Sequence, residues 1–249
     1  MPQLIPMRQK LKAGKPVSVI SGLHNADMVD YLGQFGLDGV WLEGEHGPVD
    51  WDTIGDLTRA CDLWGMASIM RIAAGEPWLI TRTLDRGVSG FVVPHVSTKE
   101  YAQRIVQAAR FAPLGLRGMY GGRRSYGVSD YYNRANEETV VVVLIEEIEA
   151  VRNLKEILTV DGVDVFFVAP SDLAQTMGKI GKLDDPEVQA TIDDAIKRIV
   201  DAGRTAGTLV NDANLERYLD LGVTFTMGSW LPWVAAGARA YKAAVDKRA

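Results

Sequence analysis

Eight short apolar runs punctuate the chain, and each leads through a turn into a longer stretch of helical periodicity. They are VSVIS (17–21), DGVWLE (38–43), MASIMRI (66–72), GFVVPHV (90–96), TVVVVLIE (139–146), DVFFVAP (164–170), TAGTLV (205–210) and TFTMGS (224–229). The runs are apolar throughout instead of alternating, as parallel strands covered on both faces must be. Intervening patterns such as DWDTIGDLTRACDLWG and PEVQATIDDAIKRIVDAG carry Asp or Thr near the start and Gly near the end, and read as amphipathic helices. Eight alternations in 249 residues are the arithmetic of a (β/α)8 TIM barrel, taken as one domain over 1–249. A doubly wound open sheet is the alternative. Against it, SGLHNAD follows the first run where a Gly-rich dinucleotide fingerprint would stand, and no Walker-type sequence occurs.

Composition narrows the function. A formal charge of −5 with scattered basic residues leaves no electrostatic footprint for nucleic acid or an anionic membrane; only Arg117, Arg123 and Arg124 cluster. The single cysteine, Cys61, cannot form an intramolecular disulfide, and no signal-like or 18-residue apolar segment is present, so a cytoplasmic protein is expected. The longest irregular piece, GLRGMYGGRRSYGVSDYYNRAN (115–136), reads as a mobile polar wall over a site. The C-terminal LPWVAAGARAYKAAVDKRA reads as a helix used in oligomer contacts, with Trp230 and Trp233 serving either that purpose or intramolecular packing.

In a barrel, reactive residues stand where strands end. Glu43, Glu45 and His46 end the second run, Arg71 the third, Glu146 and Glu147 the fifth, Ser171 and Asp172 the sixth. An ionised Glu146 closing VVVVLI needs a partner: either a hard divalent cation shared with Asp172, or an ion pair with Arg71 or Lys155. Asp172, or Ser171, could instead cap the following helix. Arg71 could bind a carboxylate or developing enolate oxygen, or pair with Glu43 or Glu45. His46 could move protons or be an ordinary loop residue. His24 is a candidate substrate contact, and His95 reads as structural.

The motifs GEHGP, MRI, GLRG, LIEEIEAV and VAPSDLA occur in this order after strands two to six. Together they resemble the HpcH/HpaI family of metal-dependent class II pyruvate aldolases, over about residues 8–245. The resemblance implies a divalent cation, Mg2+ or Mn2+ with Co2+ as a further possibility, on Glu146 and Asp172. It implies that Arg71 stabilises a pyruvate or hydroxypyruvate enolate, that His46 handles protons, and that Asp85 reaches this histidine from a neighbouring subunit of a homo-oligomer, a hexamer or trimer. Substrate contacts would then come from Arg71, Ala169, Ser171, Asp172 and His24. Glu43 stands where the family usually has aspartate and is expected to orient His46, directly or through water. Glu45 is a candidate for holding metal-bound waters. Ala169 stands where the family usually has glycine. The implied reaction is reversible aldol cleavage of 4-hydroxy-2-oxo acids to a 2-oxo acid and an aldehyde. Two alternatives stand beside it: a citrate-lyase-like enzyme using CoA thioesters, for which Arg123 and Arg124 are the one nucleotide-binding candidate, and a non-catalytic metabolite-binding barrel.

Overall fold

The computed structural model describes residues 6–248. Eight parallel strands close into a barrel in sequence order, with the last pairing to the first. They are β1 (Val17–Ser21), β2 (Gly39–Glu43), β3 (Ala67–Arg71), β4 (Gly90–Val93), β5 (Val140–Ile145), β6 (Val165–Val168), β7 (Ala206–Leu209) and β8 (Phe225–Ser229). All eight expected runs are strands, each trimmed by up to three residues at its ends. The elements outside them are α1 (Pro6–Lys12), α2 (Ala26–Gly33), α3 (Ile54–Leu63), α4 (Pro77–Asp85), α5 (Lys99–Ala109), α6 (Tyr131–Glu138), α7 (Ile148–Arg152), α8 (Leu154–Ile157), α9 (Pro170–Thr176), α10 (Pro186–Asp201), α11 (Leu215–Asp220) and α12 (Leu231–Asp246).

The two-residue pleat divides each strand between two cores. Val17, Val19, Trp41, Ala67, Ile69, Val92, Val142, Leu144, Phe167 and Phe225 form one cluster together with Met7 and Leu11 of α1. Their alternate neighbours, including Val40, Leu42, Met70, Val93, Val143, Ile145 and Phe166, pack in a second cluster with helix residues such as Leu57, Ile80, Ile105 and Ile196. The first set fills the barrel, and the second joins the strands to their helices. Continuing the inner rows two residues past Trp41, Ile69, Leu144 and Phe167 reaches Glu43, Arg71, Glu146 and Ala169. The pleat that buries the interior thus delivers polar groups to its C-terminal mouth.

Cys61 lies on the buried side of α3, and burial pushes its thiol up to about 12. A thiol reagent at pH 8 is expected to leave the folded protein unmodified and to label one thiol per chain in denaturant. Rapid labelling without denaturant would contradict this placement.

The segment 115–136 differs from expectation in form and in position. It contains a 3-10 turn, Arg123–Ser125, and the start of α6. It follows α5 and precedes β5, so it belongs to the N-terminal end of the strands, away from the mouth. Arg124 donates to the Gly87 carbonyl at 2.7 Å and to Ser89 Oγ at 3.2 Å, both just before β4. Arg123 and Arg124 both pair with Asp62 at the end of α3. The segment braces the floor of the barrel and forms no wall over a site at its mouth. Arg117, with its side chain 2% exposed, donates from Nη2 to Asp85 Oδ1 at 2.8 Å and lies over the Phe111 ring. Arg117→Ala strands Asp85 and is expected to cost about 3 kcal/mol in a denaturant melt, the low end for breaking a buried pair. A change within error of zero would contradict a bracing role.

Candidate active site at the barrel mouth

Register explains the first contact. Glu43 and Arg71 are directly paired positions of β2 and β3, so the two inward side chains meet. Arg71 reaches Glu43 Oε2 with Nε at 2.8 Å and Nη2 at 2.7 Å, and Glu45 Oε2 with Nε at 3.2 Å. Glu43 Oε2 also accepts from the Trp41 indole at 3.3 Å, while Oε1 accepts the backbone N–H groups of Glu45 and His46 at 2.9 and 3.0 Å. Burial raises the Glu43 carboxyl, but the Arg71 hydrogen bond and charge and the two backbone donors outweigh it, holding its pKa below the ordinary value.

No direct hydrogen bond joins the Glu43 carboxylate to the His46 ring. Both its oxygens are taken up by Arg71, Trp41 and the loop backbone, and what it fixes is the turn that carries the histidine. The ring itself is 69% exposed, with Nε2 3.8 Å from Glu45 Oε2. For Arg71, the ion-pair alternative is the one seen. It is a pair with two carboxylates at the rim of an open cavity, where the guanidinium remains within reach of a ligand.

Glu146, one residue beyond β5, is 1% exposed. Its Oε1 accepts the His95 backbone N–H at 2.7 Å, and its Oε2 has no partner. Neither Arg71 nor Lys155 pairs with it. Burial pushes its carboxyl above the ordinary value; the His95 N–H opposes this, and the charges of Asp172 and Glu45 add to it. A buried carboxylate oxygen without a donor, with two more carboxylates close enough to repel it, suits a cation.

The β6–α9 junction supplies the facing wall. The Ala169 N–H donates to the Ile145 carbonyl at 3.2 Å, which joins this junction to the end of β5. Helix α9 starts with Ala169 as N-cap and Pro170 in its first turn, and no side chain caps it. Asp172 and Ser171 are thus not used as caps. Ala169 has φ −100, which any residue adopts, so the backbone there does not require glycine.

Ser21, Trp41, Glu43, His46, Arg71, Phe167, Ala169, Ser171 and Asp172 line one cavity of about 300 Å³, floored by Leu144, Leu209 and Met227. That volume suits a small organic acid. Of the residues expected at the site, Glu45, Glu146, His24 and Asp85 are not in its lining; Glu146 is buried behind the cavity wall, two positions past Leu144. His24 is exposed in the β1–α2 loop, where its neighbour Asn25 caps α2. Asp85 ends α4, a helix that begins near the mouth after β3 and carries it about 13 Å toward the opposite end.

His95 is the residue that sequence reasoning set aside. Its Nδ1 lies 3.2 Å from Glu147 Oε1 and 3.4 Å from Glu146 Oε1, and its Nε2 lies 4.0 Å from Glu45 Oε1. Position after strand four was the available signal. Its acidic partners stand some 50 residues away, just past the ends of β2 and β5, outside any local motif.

A family model described as HpcH/HpaI aldolase/citrate lyase matches residues 19–229, spanning β1 to β8 and every strand-end residue above. The chain belongs to this family. Among its relatives, a hydroxypyruvate/pyruvate aldolase of Agrobacterium fabrum is 38% identical over 221 residues, covering 86% of this chain and 83% of that protein. A 4-hydroxy-2-oxo-heptane-1,7-dioate aldolase of Klebsiella pneumoniae is 37% identical over 243 residues, covering 95% and 92%. The crystal structure of an HpcH/HpaI aldolase/citrate lyase family protein from Burkholderia cenocepacia superposes with TM-score 0.89 at 28% identity, covering 98% of this chain and all of that one. This family member is an aldolase, a carbon–carbon lyase. The arginines proposed for a CoA nucleotide, Arg123 and Arg124, are committed to Asp62 at the far end of the barrel.

Proposed function

We propose that the protein is a divalent-metal-dependent aldolase that cleaves and forms 4-hydroxy-2-oxo acids, with pyruvate or hydroxypyruvate as donor and an aldehyde as acceptor. The observation that carries this reading is the unpartnered, buried Oε2 of Glu146, in the electrostatic neighbourhood of Asp172 and Glu45. Glu146 and Asp172 would hold the cation, Mg2+ or Mn2+ with Co2+ also suited to oxygen donors. Among the described residues no three His, Cys, Asp or Glu side chains are arranged to hold a metal, so water and substrate oxygens complete the set. When bound, the cation polarises the 2-oxo carbonyl and favours charge on its oxygen.

The chain's own groups do the rest. Arg71 lends its fork to the carbonyl oxygen as negative charge develops there, with Glu43 and Glu45 keeping the guanidinium in place. His46 Nε2, on the exposed rim, takes and returns the proton, with Glu45 as its acidic neighbour. Ala169 and Ser171 meet the substrate carboxylate at the start of α9. His24, outside the cavity lining, is left to contact a longer acceptor.

Asp85 is carried away from its own histidine by α4 and paired with Arg117, so in this reading it would serve a neighbouring copy's histidine in a homo-oligomer, a hexamer or trimer, with a shared site. Helix α12 fits such assembly: no residue in it is buried, and Leu231, Trp233, Val234, Tyr241 and Val245 are exposed. Trp230 just before it is intramolecular, donating to the Gly22 carbonyl at 2.9 Å.

Pyruvate release from a 4-hydroxy-2-oxo acid, followed with chelator-treated protein and again after Mn2+ is restored, tests the proposal. Restored activity is the expected result. Full activity after complete metal removal, or activity confined to CoA thioesters, would overturn it.

A further inference from the structure

Among the described residues, His95 is the one non-glycine residue with positive φ, at 57. The left-handed region is disfavoured for any residue with a Cβ, and backbone strain of this kind persists where surrounding contacts hold it. Here those contacts are visible. The peptide before the turn presents its N–H to Glu146 Oε1 at 2.7 Å. The chain then turns back at once, so that Val96 is buried and Ser97 Oγ donates to Glu147 Oε2. Asn153 Nδ2 secures the far side by donating to the Ser97 carbonyl at 2.9 Å.

We infer that the His95 peptide is a positioning element for Glu146. By occupying Oε1 it leaves Oε2 as the oxygen offered to a cation, and the left-handed turn is what allows one short loop to hold Glu146 and Glu147 together. The imidazole is not what aims the carboxylate. The ring is 56% exposed, and its Nδ1 lies beside the oxygen that the peptide already occupies. An outer contact that fixes a ligand's orientation is typically worth about 10- to 100-fold in metal affinity. The inference rests on the proposed metal-dependent reading.

The test reads metal binding without turnover: free Mn2+ is followed by electron paramagnetic resonance as chelator-treated protein is titrated. His95→Gly and His95→Asn keep the N–H and accept the left-handed turn, and are expected to bind within about threefold of the parent. His95→Val resists that turn and should bind about 10- to 100-fold more weakly. If the valine variant does not fold, His95→Ala replaces it, with a loss of about fivefold or more. Parent-like binding by the valine or alanine variant would overturn the inference. A glycine variant as weak as the valine one would also overturn it, assigning the effect to the ring. A parent chain without a Mn2+ site dependent on Glu146 would refute the metal reading and this inference with it, whereas a Glu146-dependent site indifferent to the turn refutes this inference alone.

Discussion

Glu146→Gln is expected to lower cation-dependent turnover by more than about 100-fold, because even outer-shell changes at metal sites reach that size, and to make the metal-free protein more stable at neutral pH. The second half follows from burial. Desolvation raises the Glu146 carboxyl above its ordinary 4.5, so in the window just above that value the folded chain keeps a proton that the unfolded chain has released. Stability attributable to this group therefore falls as pH rises through the window, and the deficit persists at higher pH. Glutamine removes the deficit because it carries no charge to bury. In chelator, the melting temperature of the parent should drop relative to the variant between pH 4 and pH 8, and added Mn2+ should raise the parent's alone. A variant less stable than the parent at pH 7, or one stabilised equally by Mn2+, would refute the role given to Oε2.

Arg71→Lys is expected to reduce kcat by about 10²- to 10³-fold, the range for losing one donor to a developing oxyanion, with Mn2+ affinity unchanged. Arg71 meets Glu43 Oε2 through two nitrogens and Glu45 through one of them. A lysine ammonium is a point charge on a flexible stem and cannot reproduce that fork. Arg71→Met should lose as much activity and also some stability, because it leaves Glu43 and Glu45 facing each other without a counter-charge. Steady-state kinetics with metal binding measured in parallel separates these effects. A lysine variant with parent-like kcat would show that Arg71 merely balances charge.

Fold and inner-row chemistry were legible in the chain for one physical reason. A strand buried on both faces must be apolar throughout, so the polar residue that breaks each run marks the barrel mouth. That rule locates Glu43, Arg71, Glu146 and Asp172 without any contact information. It does not resolve what each polar group pairs with, because partners arrive from other strands. Glu43 illustrates this: three residues from His46 in sequence, it bonds that residue's backbone and spends its other oxygen on Arg71 and Trp41. His95 is the converse, with acidic partners far away in the chain and none adjacent. The segment 115–136 was misplaced because its length and composition suit a site wall, whereas its place after a helix assigns it to the opposite end of the barrel.

Deuterium uptake into pyruvate from D2O, read by mass spectrometry with no aldehyde present, reports whether this barrel mouth draws a C3 proton from a cation-held 2-oxo acid. Uptake is expected with Mg2+ or Mn2+, with loss of uptake in chelator and in the Glu146→Gln and Arg71→Lys proteins. Uptake that continues undiminished after complete metal removal, or none with metal present under conditions where the protein cleaves a CoA thioester, would contradict it.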